Sequence, residues 1–283
     1  MSDKKYIIYK GTGGLAHMLC GLDKAIKIAI NENRVLVIDT IKHACFKSNI
    51  SDYFIINENK LIIEENYNNI IKNEYKGLKL DIIKEAYPKC KGQIYMVNEV
   101  DITNLKLNSD DKILVYAGCG YKTFVKKIKL KKEIILNIKD RFKSYNNVNY
   151  IAIHFRNTDM KNNIDIFINK IKSLNFLDCN KKKINLIFLA TDDYKAFDIF
   201  KKRIQEFKWF RVVIPEDHKG ENLHYHVKNK KELVVNTLYD MYMILNSKYF
   251  IPSLNSGISK WCIEMLKEGN NIFNMNTNCE IKF

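Results

Sequence analysis

The 283-residue chain has three prolines and 11 glycines. That is too few for a long Pro- or Gly-rich linker, and it argues for folded structure along most of the length. Arginine is also scarce. Of 47 basic residues only Arg34, Arg141, Arg156, Arg203 and Arg211 are Arg, and the rest are Lys. Proteins that read phosphate and base edges favour Arg for its planar, bidentate fork. The net charge of +15 is therefore not read as a nucleic-acid surface but as a compositional bias towards Lys, Asn and Ile. Where Lys is the default cation, each Arg marks a geometric need. The seven cysteines (Cys20, Cys45, Cys90, Cys119, Cys179, Cys262 and Cys279) are odd in number, scattered, and without a C-x-x-C pair. This pattern excludes a disulfide framework or a zinc site of fixed spacing and points to reduced thiols in a cytoplasmic compartment. There is no signal-peptide pattern and no apolar run long enough for a bilayer, so any membrane contact is expected to be peripheral.

What is present is an alternation of strand and helix. Tyr6–Tyr9 is an apolar strand pattern, broken by Gly11-Thr12-Gly13-Gly14 and followed by helical spacing from Leu15 to Asn31. Val35–Ile38 and Ile113–Tyr116 are further strands. A helix is expected within the Lys- and Asn-rich stretch 131–149. Beyond it the alternation restarts, with strands at Tyr150–Phe155, Asn185–Ala190, Arg211–Ile214 and Tyr249–Ile251. Helices fall between them at 164–174, 193–206, 231–246 and 256–266. Strands apolar throughout and alternating with helices predict an α/β fold of parallel sheets. Two such halves predict two Rossmann-like domains, 1–147 and 148–283, facing each other across a cleft.

Four segments carry candidate chemistry. Gly11-Thr12-Gly13-Gly14-Leu15-Ala16-His17 joins a strand to a helix, where exposed backbone N–H groups and the helix dipole favour an anion. With Ala16 in place of a third Gly and Asp39 after the next strand, a dinucleotide fingerprint is a weak alternative, and a plain tight turn is equally compatible. His154-Phe155-Arg156-Asn157-Thr158-Asp159 lies at a strand's carboxyl end, where open α/β sheets bind ligands. There Arg156 can clamp a diphosphate, His154 can donate to phosphate or nucleoside, and Asp159 can orient Arg156 or act as a base. A buried His beside a structural Arg–Asp pair is the plain alternative. Leu189-Ala190-Thr191-Asp192-Asp193 ends another strand, with two carboxylates that could read a base or ribose, or cap the next helix. Pro252-Ser253-Leu254-Asn255-Ser256-Gly257-Ile258-Ser259 starts a helix; its small polar residues could hold phosphate oxygens, or Asn255 or Ser256 could be a cap. His218, His224 and His226 share a charged loop but meet no metal-ligand spacing, so an acceptor-side loop is expected there. Trp209 and Trp261 read as packing residues.

In order and type these segments resemble the fucosyltransferase superfamily that includes α1,6-fucosyltransferases and protein O-fucosyltransferases. The resemblance rests on Gly13-Gly14-Leu15-Ala16-His17-Met18 and Arg34-Val35-Leu36-Val37 in the first half. In the second half it rests on His154, Arg156, Thr158 and Asp159, on residues 189–193, and on Leu223-His224 through Asp240 to Asn255-Ser256-Gly257. It implies a GT-B fold, GDP-fucose as donor, inversion at the sugar and no metal or other cofactor. By residue it implies Arg156 on the β-phosphate and His154 with Asp192 or Asp193 near the guanosine. Ser256 and Gly257 would lie by the phosphates, with Gly14, Ala16 and His17 closing from the other domain. Asn157 stands where some members carry a second Arg, so positive charge in the segment rests on Arg156 alone. Asp159 and Asp165 are the candidates for a general base, and a glycan hydroxyl is the expected acceptor.

Overall fold

The computed structural model describes residues 4–11, 13–40, 46–56, 61–64, 113–116, 128–145, 147–158, 161–177, 180–212, 228–268 and 280–281. The chain divides into two compact units, Met1–Lys131 and Lys132–Phe283.

The first unit begins with β1 (Tyr6–Lys10), α1 (Leu15–Asn31) and β2 (Val35–Asp39). β3 (Phe54–Ile56), β4 (Ile63–Glu64), β5 (Ile113–Tyr116) and β6 (Ile128–Leu130) follow. A four-stranded sheet has the order β4-β2-β1-β5, and every pairing in it is parallel. β3 and β6 form a separate antiparallel pair. Residues of β1 are apolar on both faces because the strand is central, and Tyr6, Ile7, Ile8 and Tyr9 are all buried. Helix α1 presents Leu15, Met18, Leu19, Leu22 and Ile26 to the core at helical spacing. Arg34 is buried where α1 gives way to β2, with Nε 2.5 Å from Glu32 and Nη1 donating to the Tyr6 carbonyl at 3.4 Å.

The second unit runs α2 (Lys132–Arg141), β7 (Ile151–Phe155), α3 (Ile164–Ser173), β8 (Leu186–Thr191) and α4 (Ala196–Arg203). It continues with β9 (Lys208–Phe210), α5 (Lys230–Leu245), β10 (Tyr249–Ile251), α6 (Gly257–Glu268) and β11 (Glu280–Ile281). Its sheet has the order β11-β10-β7-β8-β9, again parallel throughout. Starting at β7 the chain builds outward through β8 to β9, then returns to place β10 on the other side of β7. The β7–β10 boundary is therefore a topological switch point, the position off the strand ends where open α/β sheets bind ligands. Beneath it Phe155 packs edge-on against Phe167 and Phe200, with ring centroids 5.2 Å and 5.3 Å away. Each such pair contributes about 0.5–1.5 kcal/mol beyond its buried area.

The fold is thus the expected α/β, GT-B-like class, with a Rossmann-like parallel sheet in each unit. Two details differ from the sequence expectation. A strand is expected at Arg211–Ile214; the strand on β8 is Lys208–Phe210, with Lys208, Trp209 and Phe210 paired to Leu186, Ile187 and Phe188. Arg211 and Val212 lie beyond it, and 213–214 lie outside the described residues. The apolar run 212–214 suggested the later position, but the aromatic pair Trp209 and Phe210 fills the sheet edge. The units meet at Lys131–Lys132, upstream of the boundary expected at 147–148. Helix α2 belongs with the second unit because Phe142 packs edge-on to Phe188 and Tyr239, and Arg141 lies 4.5 Å over the Tyr239 ring. The residue pattern at Asp81–Ala86 also suggests a helix; that stretch and the histidine loop around 216–226 lie outside the described residues.

Candidate functional site

In the second unit, the carboxyl ends of β7, β8 and β10 are knitted together by side chains. Asp192, just past β8, is buried; it accepts three hydrogen bonds from the segment after β7 and forms an ion pair with Arg156 there. Its Oδ1 receives Asn157 N–H at 2.8 Å. Its Oδ2 receives the Thr158 hydroxyl at 2.5 Å and the Thr158 N–H at 3.4 Å, and lies 2.9 Å from Arg156 Nε. One edge of the Arg156 guanidinium is therefore fixed by Asp192, and this carboxylate is a frame for residues 156–158. With its side chain 12% exposed, Arg156 is held against the protein and not splayed into solvent. Asp193 behaves differently. Its Oδ2 accepts from Asn157 Nδ2 at 2.8 Å, while its Oδ1 accepts from Lys195 N–H at 3.0 Å in the turn that starts α4. Asn162 closes the loop, donating from Nδ2 to the Arg156 carbonyl and from its N–H to Asn157 Oδ1 at 3.3 Å.

The other wall comes from β10 and α6. The Arg156 N–H donates to Ser253 Oγ at 3.1 Å, which ties the two strand ends across the switch point. The Ser253 N–H donates in turn to Ser259 Oγ at 3.1 Å, and Ser259 Oγ lies 2.7 Å from His154 Nδ1. Burial, and secondly the charge of Arg156, push the His154 pKa from 6.5 down to about 3. The imidazole is therefore neutral at any physiological pH, and it contributes a directional hydrogen bond and not a charge. Ser256 has its N–H on the Ser253 carbonyl at 2.9 Å. Neither its hydroxyl nor the exposed Asn255 side chain caps α6 among the described residues. Both remain at the helix start beside Gly257, where first-turn N–H groups suit an anion.

In the first unit, the turn between β1 and α1 is made of backbone. Gly13 has φ +72°, and a Cβ there would meet His17 Nδ1 at 2.9 Å. Only glycine fits, on both counts. Gly14 takes the N-cap position of α1 with no side-chain cap and no acidic residue in the first turn. Ala16 and Met18 are buried, and Tyr9 donates its hydroxyl to the Met18 carbonyl at 2.5 Å. Asp39 faces Lys10 at 3.5 Å on the neighbouring strand.

The structure thus brings together His154, Arg156, Asn157, Thr158, Asp192, Asp193 and Ser256 in the second unit. Asp165 stands in the first turn of α3, more than half exposed, with Arg203 of α4 2.5 Å away. Among the described residues no hydrogen bond or ion pair joins Asp165 to the Arg156 cluster; Asp159 lies outside the described residues. Sequence reasoning gave Ser253 and Ser259 only a share in a segment that could hold phosphate oxygens, and gave Asn162 no role. A signal for Ser259 exists: it lies on the buried stripe of α6 with Cys262 and Ile263, a polar residue where an apolar one is expected. Both tryptophans are packing residues, Trp209 against Phe200 with Nε1 on the Ile204 carbonyl, and Trp261 buried in α6. Among the described residues no group of three His, Cys, Asp or Glu is arranged to hold a metal, and no helix is long and apolar enough to cross a membrane.

The polar, Arg-bearing cluster lies at the switch point of a Rossmann-like parallel sheet, the place where open α/β sheets bind ligands. No protein-family model and no curated protein matches the chain. Solved structures do. NodZ α-1,6-fucosyltransferase co-crystallised with GDP is similar with a TM-score of 0.63 at 18% identity, over 93% of this chain and 92% of that one. POFUT1 in complex with GDP gives 0.53 at 9% identity, over 99% and 98%. A point mutant of Arabidopsis thaliana FUT1 in complex with GDP gives 0.53 at 13% identity, over 91% and 67%. The chain has the fold of these fucosyltransferases.

Proposed function

We propose that the protein is a glycosyltransferase that moves L-fucose from GDP-fucose to a hydroxyl of a glycan acceptor, with inversion and without a metal. The observation that carries this reading is the placement of Arg156. Its backbone sits at the switch point, bonded to Ser253 across the β7–β10 boundary, and its guanidinium is aimed by Asp192. An anion bound off these strand ends meets that guanidinium, the Ser256 hydroxyl and the start of α6. The fold shared with solved fucosyltransferases supports fucose and GDP over other donors.

In the reaction, an oxygen of the acceptor forms a bond to the anomeric carbon from the face opposite the nucleotide. The bond from that carbon to the β-phosphate oxygen breaks, and its electron pair leaves with GDP. The acceptor proton passes to a base or to solvent; Asp159 and Asp165 are the carboxylates proposed for that role. Arg156 offsets the charge gathering on the diphosphate, the kind of preorganised electrostatic contribution that dominates such catalysis. Gly13, Gly14, Ala16 and His17 are proposed to contact the donor as well, through the turn that needs glycine at position 13. A cytoplasmic setting, with at most peripheral membrane contact, suits the scattered cysteines.

Thermal-shift titration with GDP, UDP and dTDP tests the donor, since only the true nucleotide stabilises strongly. GDP alone raising the melting temperature is expected. Stabilisation by UDP or dTDP in its place would redirect the reading to another nucleotide sugar. Fucose transfer that persists in a chelator supports the metal-free reaction, and its abolition would refute it.

A further inference from the structure

Three hydrogen bonds run in sequence through the switch point. The Arg156 N–H donates to Ser253 Oγ, the Ser253 N–H donates to Ser259 Oγ, and Ser259 Oγ meets His154 Nδ1 at 2.7 Å. The first two directions are fixed, because a backbone N–H can only donate. The third is set by elimination. Ser259 is fully buried, so no solvent reaches its hydroxyl. It makes no bond to the carbonyl one turn back in α6, the usual outlet for a helical serine. Its hydroxyl proton therefore has a single acceptor among the described residues, His154 Nδ1. If Nδ1 carried the proton instead, Ser259 Oγ would receive two donors while its own O–H stayed buried without an acceptor. That arrangement is disfavoured by about tenfold or more.

The other ring nitrogen completes the case. His154 Nε2 makes no hydrogen bond among the described residues, yet it is not one of the side-chain atoms sealed in the interior without a partner. His154 as a whole is 5% exposed, at the end of β7 and two residues before Arg156. We propose that Ser259 is a positioning residue that holds His154 as its Nε2–H tautomer, so that the ring edge at the crevice is a hydrogen-bond donor to an oxygen of the nucleotide. The inference rests on the donor reading above for its ligand, but not for its tautomer. The acceptor oxygen belongs either to the base or to the diphosphate.

The experiment is nitrogen-15 NMR of the full chain labelled at histidine, with His154 assigned among the six histidines by the loss of its signals in His154→Gln. Without nucleotide, at neutral pH, Nε2 is expected to be protonated and Nδ1 unprotonated and hydrogen-bonded. A proton on Nδ1 would overturn the proposal. In Ser259→Ala the Nδ1 resonance should move towards that of an unbonded nitrogen, and GDP affinity by calorimetry should fall about tenfold. The double variant with His154→Gln should bind GDP no more weakly than His154→Gln alone; losses that multiply would show that Ser259 does not act through His154. Titration with guanosine and with pyrophosphate separates the two acceptors, because only the right one moves the Nε2–H proton signal. If GDP binds and none of the three moves that signal, the donor edge is refuted. If GDP fails to bind at all, the acceptor half falls with the donor reading, while the nucleotide-free spectrum still decides the tautomer.

Discussion

The turn after β1 and the turn after β7 occupy equivalent places in their two sheets, and they are built from different materials. After β1 the work is done by backbone: Gly13 at φ +72°, packed on His17, and Gly14 opening α1 without a side-chain cap. After β7 it is done by side chains: Asp192 accepts three hydrogen bonds from residues 157–158 and pairs with Arg156, and Ser253 and Ser259 link that segment to β10 and α6. A glycine turn presents N–H groups and tolerates nothing larger. A side-chain frame can hold one charged group in one direction, which is what a lone Arg156 requires.

The sharpest way to break the contrast is to remove the frame. Asp192→Ala leaves Arg156 and three further donors without their carboxylate, and is expected to lower stability by roughly 3 kcal/mol, read by chemical denaturation, with transfer activity falling as well. An intact fold with full turnover would mean that Asp192 does not aim Arg156. Next in size is a pH effect confined to the second unit. The unfolded chain protonates His154 near 6.5, whereas the folded chain holds it neutral down to about 3. Its contribution is thus complete above about 6.5 and is lost as pH falls towards about 3. His154→Gln should flatten that part of the acid limb in denaturation curves, and parallel curves would contradict it.

Gly13→Ala tests the backbone turn. Positive φ and the contact with His17 should together cost about 1–2 kcal/mol, seen as a lower melting temperature without any change in the His154 spectrum. The smallest effect belongs to Asp165→Asn. Removing an exposed partner of Arg203 should change stability by at most about 1 kcal/mol. Turnover reduced by orders of magnitude in that variant would instead mark Asp165 as the base.

Much of this was legible in the residue order. Apolar strands alternating with helices specified parallel sheets, and the strand-end motifs at 154–159, 189–193 and 252–259 fell where the sheet places a ligand. The five arginines also behave as their rarity suggested: Arg34, Arg141, Arg203 and Arg211 each make a specific structural contact, and Arg156 stands at the switch point. What was not legible was the division of labour within the motifs. Asp192 reads as a ligand-facing carboxylate until β7 and β8 are aligned, because its partners lie 34 to 36 residues away in the chain. Ser259 reads as one of several small polar residues near a helix start until α6 is laid against the end of β7. Such roles depend on the register between elements, which a pattern along one element does not contain.

The central claim is that a nucleotide diphosphate leaves against Arg156. The direct measurement is kcat/KM for fucose transfer from GDP-fucose by Arg156→Ala, beside the wild type at matched folded fraction. A fall of roughly 100–1000-fold is expected, and a variant that turns over GDP-fucose as fast as the wild type would contradict the assignment.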